Sequence, residues 1–226
     1  MHIVAPALFL CPQIPTLPKP IHLSSATKIP FFPGLMPTPL EERLREIVRN
    51  SRFIMATMSA ARSLHLPQWC IGAGAIRNLV WDHLHGYTTS KKPGDIDFAY
   101  FDPSDISCER DRLVGSMLEG SCPGIPWEAV NQAGVHLWYE ECFGKPIEPF
   151  HSLSEALASW PEFATCVGVR LEDDNSLTVI APHGLADLFE MKIRRNPTRI
   201  DLETFRRRIS DKRFADKWPL VRIIDG

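Results

Sequence analysis

The chain has 226 residues, 44% of them hydrophobic and 23% charged, with a formal net charge of −2 at neutral pH. That length suits one large domain and buries a core without metal or disulfide staples. The near-zero net charge argues against a whole-protein basic footprint for nucleic acid, and no apolar run approaches the ~18 residues of a membrane-spanning helix. Charge is uneven along the chain: residues 1–37 carry +2 and residues 191–226 carry +6, which leaves −10 for residues 38–190. An acidic middle suits hard cations and a basic tail suits phosphate, although solvated faces that merely differ in sign give the same numbers. Six scattered cysteines with no C-x-x-C pair predict reduced thiols, several of them core hydrophobes, and a cytoplasmic location. The apolar start lacks a basic leader and is interrupted by Pro6, so it is not read as a signal peptide.

Eight prolines fall in residues 1–37, which predicts an extended or disordered segment ahead of a domain over 38–226. Thr38-Pro39-Leu40-Glu41 reads as a capping box, and apolar residues at helical spacing continue that helix to about Leu64. A strand is expected over Gln68–Ile71 and a small-residue turn over Gly72-Ala73-Gly74-Ala75. Helix follows over Ile76–His85, then a strand from Gly94 to Phe101 and a helix from Asp105 to Leu118. Further strands are expected at Trp127–Gln132, Val135–Tyr139, Ala164–Leu171 and Leu177–Ile180, the last two joined by the polar turn Glu172–Asn175. Helices return at His183–Met191 and Asp201–Lys212. This order predicts an α/β or α+β fold, a mixed sheet covered by helices.

Chemistry concentrates in Gly94-Asp95-Ile96-Asp97-Phe98. Strand side chains at i and i+2 share a face, so Asp95 and Asp97 point together while Ile96 and Phe98 point into core. Two like charges on one face repel unless a cation lies between them, and Mg²⁺ prefers such oxygen ligands together with substrate phosphates. The Gly72–Gly74 turn stands at the start of a helix, where backbone amides bind phosphate and small residues allow close approach. Arg77 in the first turn adds a guanidinium suited to a phosphate oxygen. Each motif alone has a plainer reading, as an exposed strand edge and a packing turn.

Together the two segments resemble the nucleotidyltransferase superfamily with the DNA polymerase β-like catalytic fold, whose signature is a Gly-Gly/Ser turn, a helix, and D-h-D on the next strand. The chain is similar to a group of microbial nucleotidyltransferase family proteins through GAGAIRNLVWD (72–82), DIDFAYFD (95–102), WEAVNQAGVHLWYE (127–140), APHGLADLFEMKIRRNP (181–197) and KWPLVRI (217–223). The resemblance implies a Mg²⁺-dependent transfer of a nucleoside monophosphate from a nucleoside triphosphate to a hydroxyl acceptor: a small molecule, a protein or an RNA end. It implies two metal ions held by Asp95 and Asp97, with Glu128 as the best match for a third carboxylate, and Gly72, Ala73, Gly74 and Arg77 at the nucleotide. Two departures stand out. Alanine occupies the position of the usual turn serine, at Ala73 or Ala75. The 21-residue gap from Gly74 to Asp95 implies an inserted loop over Tyr87–Pro93.

Three other readings remain beside this one. Gly72-Ala73-Gly74 opens a dinucleotide-type glycine pattern, but Arg77 occupies its third glycine position. The same fold without turnover would make a nucleotide-sensing or interaction module. A basic C-terminal part that binds RNA would make a polynucleotide end the acceptor. Among secondary candidates, Asn131 and Gln132 suit a base or sugar edge or a satisfied polar row, with His136 on the next strand. His83 and His85 do not share a helix face, Asp187 is expected to pair with an arginine, and Lys192, Arg194, Arg195, Arg206, Arg207 and Arg208 suit contacts to nucleotide or acceptor phosphates or, more simply, a solvated surface.

Overall fold

The computed structural model describes residues 38–87 and 94–224. The proline-rich segment over 1–37 and positions 88–93 of the expected inserted loop lie outside them. Thr38 Oγ1 accepts a hydrogen bond from the Glu41 amide at 3.3 Å, and α1 runs Pro39–Asn50. The periodicity predicts one helix to about Leu64, but the chain makes two. Ser51 leaves helical backbone, and its hydroxyl accepts from the Ile54 amide at 3.3 Å to open α2, Arg52–Arg62. A serine that caps with its own side chain gives the backbone an alternative to continuing the helix.

β1 (Trp69–Gly72) feeds directly into α3 (Ala73–Leu84), followed by β2 (Ile96–Tyr100), α4 (Cys108–Ser121) and β3 (Trp127–Asn131). The expected strand over Val135–Tyr139 is instead helical: a 3-10 turn at Gln132–Gly134 leads into α5, His136–Phe143. Asn131 Oδ1 accepts from the Ala133 amide at 3.1 Å and turns the chain. Val135, Trp138 and Tyr139 are then buried at i, i+3 and i+4, a helical pattern rather than an alternating one. The remaining elements are α6 (Leu153–Ala158), β4 (Gly168–Leu171), β5 (Leu177–Ile180), α7 (Ala186–Phe189), β6 (Lys192–Arg194), α8 (Leu202–Lys212), α9 (Phe214–Lys217) and β7 (Arg222–Ile224).

Five strands form one mixed sheet in the order β3-β2-β1-β4-β5, and β6 pairs with β7 separately. β2 and β3 are parallel, whereas β1 is antiparallel to both of its neighbours. A dinucleotide-binding β-α-β unit requires its two strands to be parallel, so the antiparallel β1–α3–β2 unit is not one. Alternation along β2 divides the two faces of the sheet. Ile96, Phe98 and Tyr100 enter the main core with Trp69, Ile71, Val169 and the apolar faces of α1, α2, α3 and α4. On the other face, Ala99 and Phe101 join Cys70, Leu153, Leu157, Trp160 and Cys166 in a smaller core. Cys70 and Cys166 thus behave as core hydrophobes. Among the described residues no helix is long and apolar enough to cross a membrane.

The turn from β1 into α3 is fixed by close approach and by strain. Gly72 is in extended backbone, but a Cβ there would lie 2.8 Å from the Val167 carbonyl oxygen and 2.9 Å from the Trp160 ring. Ala73 carries φ +45°, a left-handed conformation that is costly for a residue with a Cβ. A Cβ at Gly74 would meet nothing nearer than 3.7 Å. Gly72→Ala should therefore cost about 1–3 kcal/mol through overpacking. Gly74→Ala should be neutral or gain up to about 1 kcal/mol of helix propensity. Urea unfolding of the two variants checks this contrast.

Candidate active site

The parallel pairing of β2 with β3 sets Asp97 directly beside Glu128. Neighbouring strands lie about 4.8 Å apart, so the two side chains stand next to one another on one face. Asp95, two residues before Asp97, joins them along the same cleft. The structure therefore brings together all three carboxylates singled out from the sequence.

Their electrostatics are those of crowded anions. Burial, and then the charge of Asp95, push the Asp97 carboxyl up to about 6; the Gly74 amide, Arg77 and Lys212 oppose the shift. Burial followed by the charges of Asp97 and Asp95 push Glu128 up to about 7, against the pull of Lys212. Glu128 Oε2 is buried with no hydrogen-bond partner. Two desolvated acids and an orphaned oxygen form a site short of positive charge.

The turn contributes less free amide than its sequence suggests. The Gly74 amide donates to Asp97 Oδ2 at 3.3 Å, and the Ala73 amide donates to the Val167 carbonyl at 3.1 Å. Ala73 and Gly74 line the cleft, whereas Gly72 serves the packing of the turn against Trp160. Arg77 also lines the cleft but is only 7% exposed. Its guanidinium lies over the rings of Phe214, Trp81 and Trp218 at 4.8, 5.3 and 5.8 Å, and donates to Asn78 Oδ1 at 2.8 Å. Burial lowers its pKa to about 10, with Glu162 as the main support of its charge, so it remains cationic at neutral pH.

The wall facing the carboxylates comes from far along the chain. Arg208 and Lys212 from α8 and Lys217 from α9 line it. The sequence leaves Arg206, Arg207 and Arg208 between phosphate contact and a solvated surface. Arg206 and Arg207 are exposed there, but Arg208 turns inward to an ion pair with Glu162. The signal was present: Phe205 is the buried residue of α8, and positions 208 and 212 share its side of the helix. Glu162, Thr165 and Trp160 carry no motif and went unremarked. Asn131 is spent on structure: it accepts from the Asp102 and Ala133 amides and donates to the Asp102 and Asp105 carbonyls. Gln132 lines the cleft and His136 does not. Asp187 does pair with an arginine, Arg194, at 2.9 Å.

The raised acids make a stability prediction with a definite sign. A carboxyl whose folded pKa exceeds its unfolded value stabilises the fold below about pH 4, and that contribution disappears as pH rises through 6 to 7. In EDTA, Asp97→Asn should melt above the wild-type protein at pH 7.5 by about 2–4 °C, on the order of 1 kcal/mol. The difference should shrink toward pH 4.5. An offset that does not change with pH would trace the effect to something other than ionisation.

Three comparisons bear on this geometry. Residues 59–223 match the model of a nucleotidyltransferase family. A structure solved by NMR, described as revealing a CCA-adding enzyme head domain, superposes with a TM-score of 0.70 at 27% identity, covering 82% of this chain and 96% of that one. A tRNA-processing enzyme (TM-score 0.44, 19% identity) and a CCA-adding enzyme (TM-score 0.43, 15% identity) match 84% and 81% of this chain but only 45% and 42% of their own lengths. No curated protein matches the sequence significantly. The mixed sheet and its covering helices form the polymerase β-like head-domain fold, and the chain belongs to the nucleotidyltransferase family.

Proposed function

We propose that the protein is a Mg²⁺-dependent nucleotidyltransferase that moves a nucleoside monophosphate from a nucleoside triphosphate to a hydroxyl acceptor. The observation that carries this reading is the register of Asp97 beside Glu128, on the same face where the Gly74 amide at the start of α3 reaches Asp97. Carboxylates on one wall and Arg77, Arg208, Lys212 and Lys217 on the others match a substrate that arrives as a metal-bound polyphosphate.

Among the described residues no group of three His, Cys, Asp or Glu stands at metal-binding spacing. The donor chemistry nevertheless fits magnesium: Asp95, Asp97 and Glu128 are all oxygen donors, two of them destabilised as bare anions, and one buried oxygen lacks a partner. These three residues would hold it. Bound there, Mg²⁺ supplies charge neutralisation at the α-phosphate and lowers the pKa of an acceptor hydroxyl.

In the transfer, the acceptor oxygen forms a bond to the α-phosphorus, the bond from that phosphorus to the bridging oxygen breaks, and pyrophosphate leaves. The acceptor's proton passes to a carboxylate of the site, and Glu128, beside Asp97 in strand register, is placed to take it. Arg77 and Arg208 face the negative charge that accumulates on the departing pyrophosphate. Ala99 and Val130 supply apolar lining beside the carboxylates, and lower local polarity strengthens these interactions.

Thermal-shift measurements with ATP, CTP, GTP and UTP, each with and without Mg²⁺, test binding. A native-state ligand at a hundredfold excess over its dissociation constant adds about 2.7 kcal/mol of stability. A Mg²⁺-dependent shift is expected with at least one triphosphate, and it should be absent in Asp95→Asn. Labelled transfer is then sought with small-molecule, protein and RNA acceptors; an RNA 3′ end is included because a similar structure is a CCA-adding enzyme head domain. Asp97→Asn should lower transfer by about 10²-fold or more, and undiminished transfer in that variant would sink the assignment. Alanine at 73 and 75, which leaves the turn without a hydroxyl, favours a second reading in which nucleotide binds without turnover. A Mg²⁺-dependent shift with no transfer to any acceptor is its signature.

A further inference from the structure

We infer that Glu162 is a positioning residue for the triphosphate: it holds Arg208 in the cleft before nucleotide arrives. The inference rests on the nucleotidyltransferase reading above and adds a residue to it.

Glu162 is only 1% exposed, yet it forms an ion pair with Arg208. Its Oε1 accepts from Arg208 Nε, and its Oε2 accepts from Arg208 Nη2 at 3.4 Å and from Thr165 Oγ1 at 3.2 Å. A two-pronged carboxylate–guanidinium contact fixes both the place and the plane of the arginine. The glutamate itself has little freedom. Its carbonyl accepts from the Thr165 hydroxyl at 2.7 Å and from the Thr165 amide at 2.9 Å, and its backbone pairs with Arg195. Asn196 clamps the preceding residues by donating to the Ala158 and Trp160 carbonyls at 2.7 and 2.9 Å.

Charge arithmetic at this wall points to an anion. Arg208, Arg77, Lys212 and Lys217 all line this cleft, and Glu162 is the buried carboxylate paired with Arg208. Glu162 offsets one guanidinium and leaves the rest of the wall positive. A buried carboxylate that had only to staple α8 to the sheet would need one cation, placed away from the cleft. Here its partner Arg208 lines the cavity that the three catalytic candidates also line.

The test measures binding of the triphosphate that gives the largest thermal shift, and of inorganic tripolyphosphate, both with Mg²⁺, to the wild-type chain, Glu162→Gln, Glu162→Asp, Arg208→Lys and the double variant Glu162→Gln/Arg208→Lys. We expect about tenfold weaker binding of both ligands in Glu162→Gln, the scale of one lost charge-assisted hydrogen bond, and a smaller loss in Glu162→Asp. In the double variant the loss should fall short of the product of the two single losses, because Glu162 acts through Arg208. A purely structural role would lower the melting temperature while leaving tripolyphosphate affinity unchanged, and that result overturns the inference. Strictly multiplicative losses in the double variant do the same. If Glu162→Gln does not fold, unchanged tripolyphosphate affinity in Glu162→Asp suffices to overturn it. Should the wild-type chain bind neither ligand, the nucleotidyltransferase reading fails first and takes this one with it; affinity in the wild type that the variants keep removes Glu162 alone.

Discussion

Three carboxylates on one face of one sheet are a source of repulsion that the rest of this structure is arranged to tolerate. Asp97 and Glu128 are neighbours in strand register, so neither can retreat without breaking the β2–β3 pairing. Burial makes their proximity worse, and both acids are raised as a result. The offsetting groups come from three directions: the Gly74 amide at the head of α3, Arg77 within the same helix, and Lys212 from α8. Folding alone gives no reason to place acids here, because apolar residues at 97 and 128 would avoid the repulsion. Their presence fits the proposed nucleotidyltransferase site, in which a cation and a polyphosphate would favour this arrangement.

The turn between β1 and α3 belongs to the same balance. Ala73 holds a left-handed backbone that costs on the order of 1–2 kcal/mol for a residue with a Cβ. Gly72 is pressed against the Val167 carbonyl and Trp160. Both features let the chain reverse within one residue, so that the first helical amides come within reach of Asp97. A looser turn would move the Gly74 amide away from the carboxylate it steadies. Strain at this position is therefore coupled to the site by a single hydrogen bond.

Much of this was legible in the sequence wherever the physics is local. Alternation along 95–101 identified which side chains face core and which face the cleft. The capping pattern at Thr38 located the start of α1, and the Gly72–Gly74 run located the strand-to-helix turn. Local competition was harder to read. Ser51 divided what periodicity presented as one helix, and Asn131 turned Val135–Tyr139 away from the strand that its apolar composition suggests. What stayed hidden was distant. Glu162 lies in a stretch without a motif, 65 residues beyond Asp97, and it becomes meaningful only when folding delivers Arg208 from α8. Arg77 was legible as a site residue, but its aromatic bed of Phe214 and Trp218 was not.

That aromatic bed has a consequence for how the two ends of the chain cooperate. Arg77 belongs to the turn-and-helix unit, whereas Phe214 and Trp218 follow α8 near the C-terminal end of the described residues. Trp218 is anchored back to α3 through its indole N–H, which donates to Asp82 Oδ1 at 2.8 Å, and the Leu220 amide donates to His85 Nε2 at 3.1 Å. The C-terminal segment is thus tied along the length of α3, while α8 is tied to the far side of the cleft through Arg208 and Glu162. Two anchors of different kind, one aromatic and one ionic, span the cavity from opposite sides.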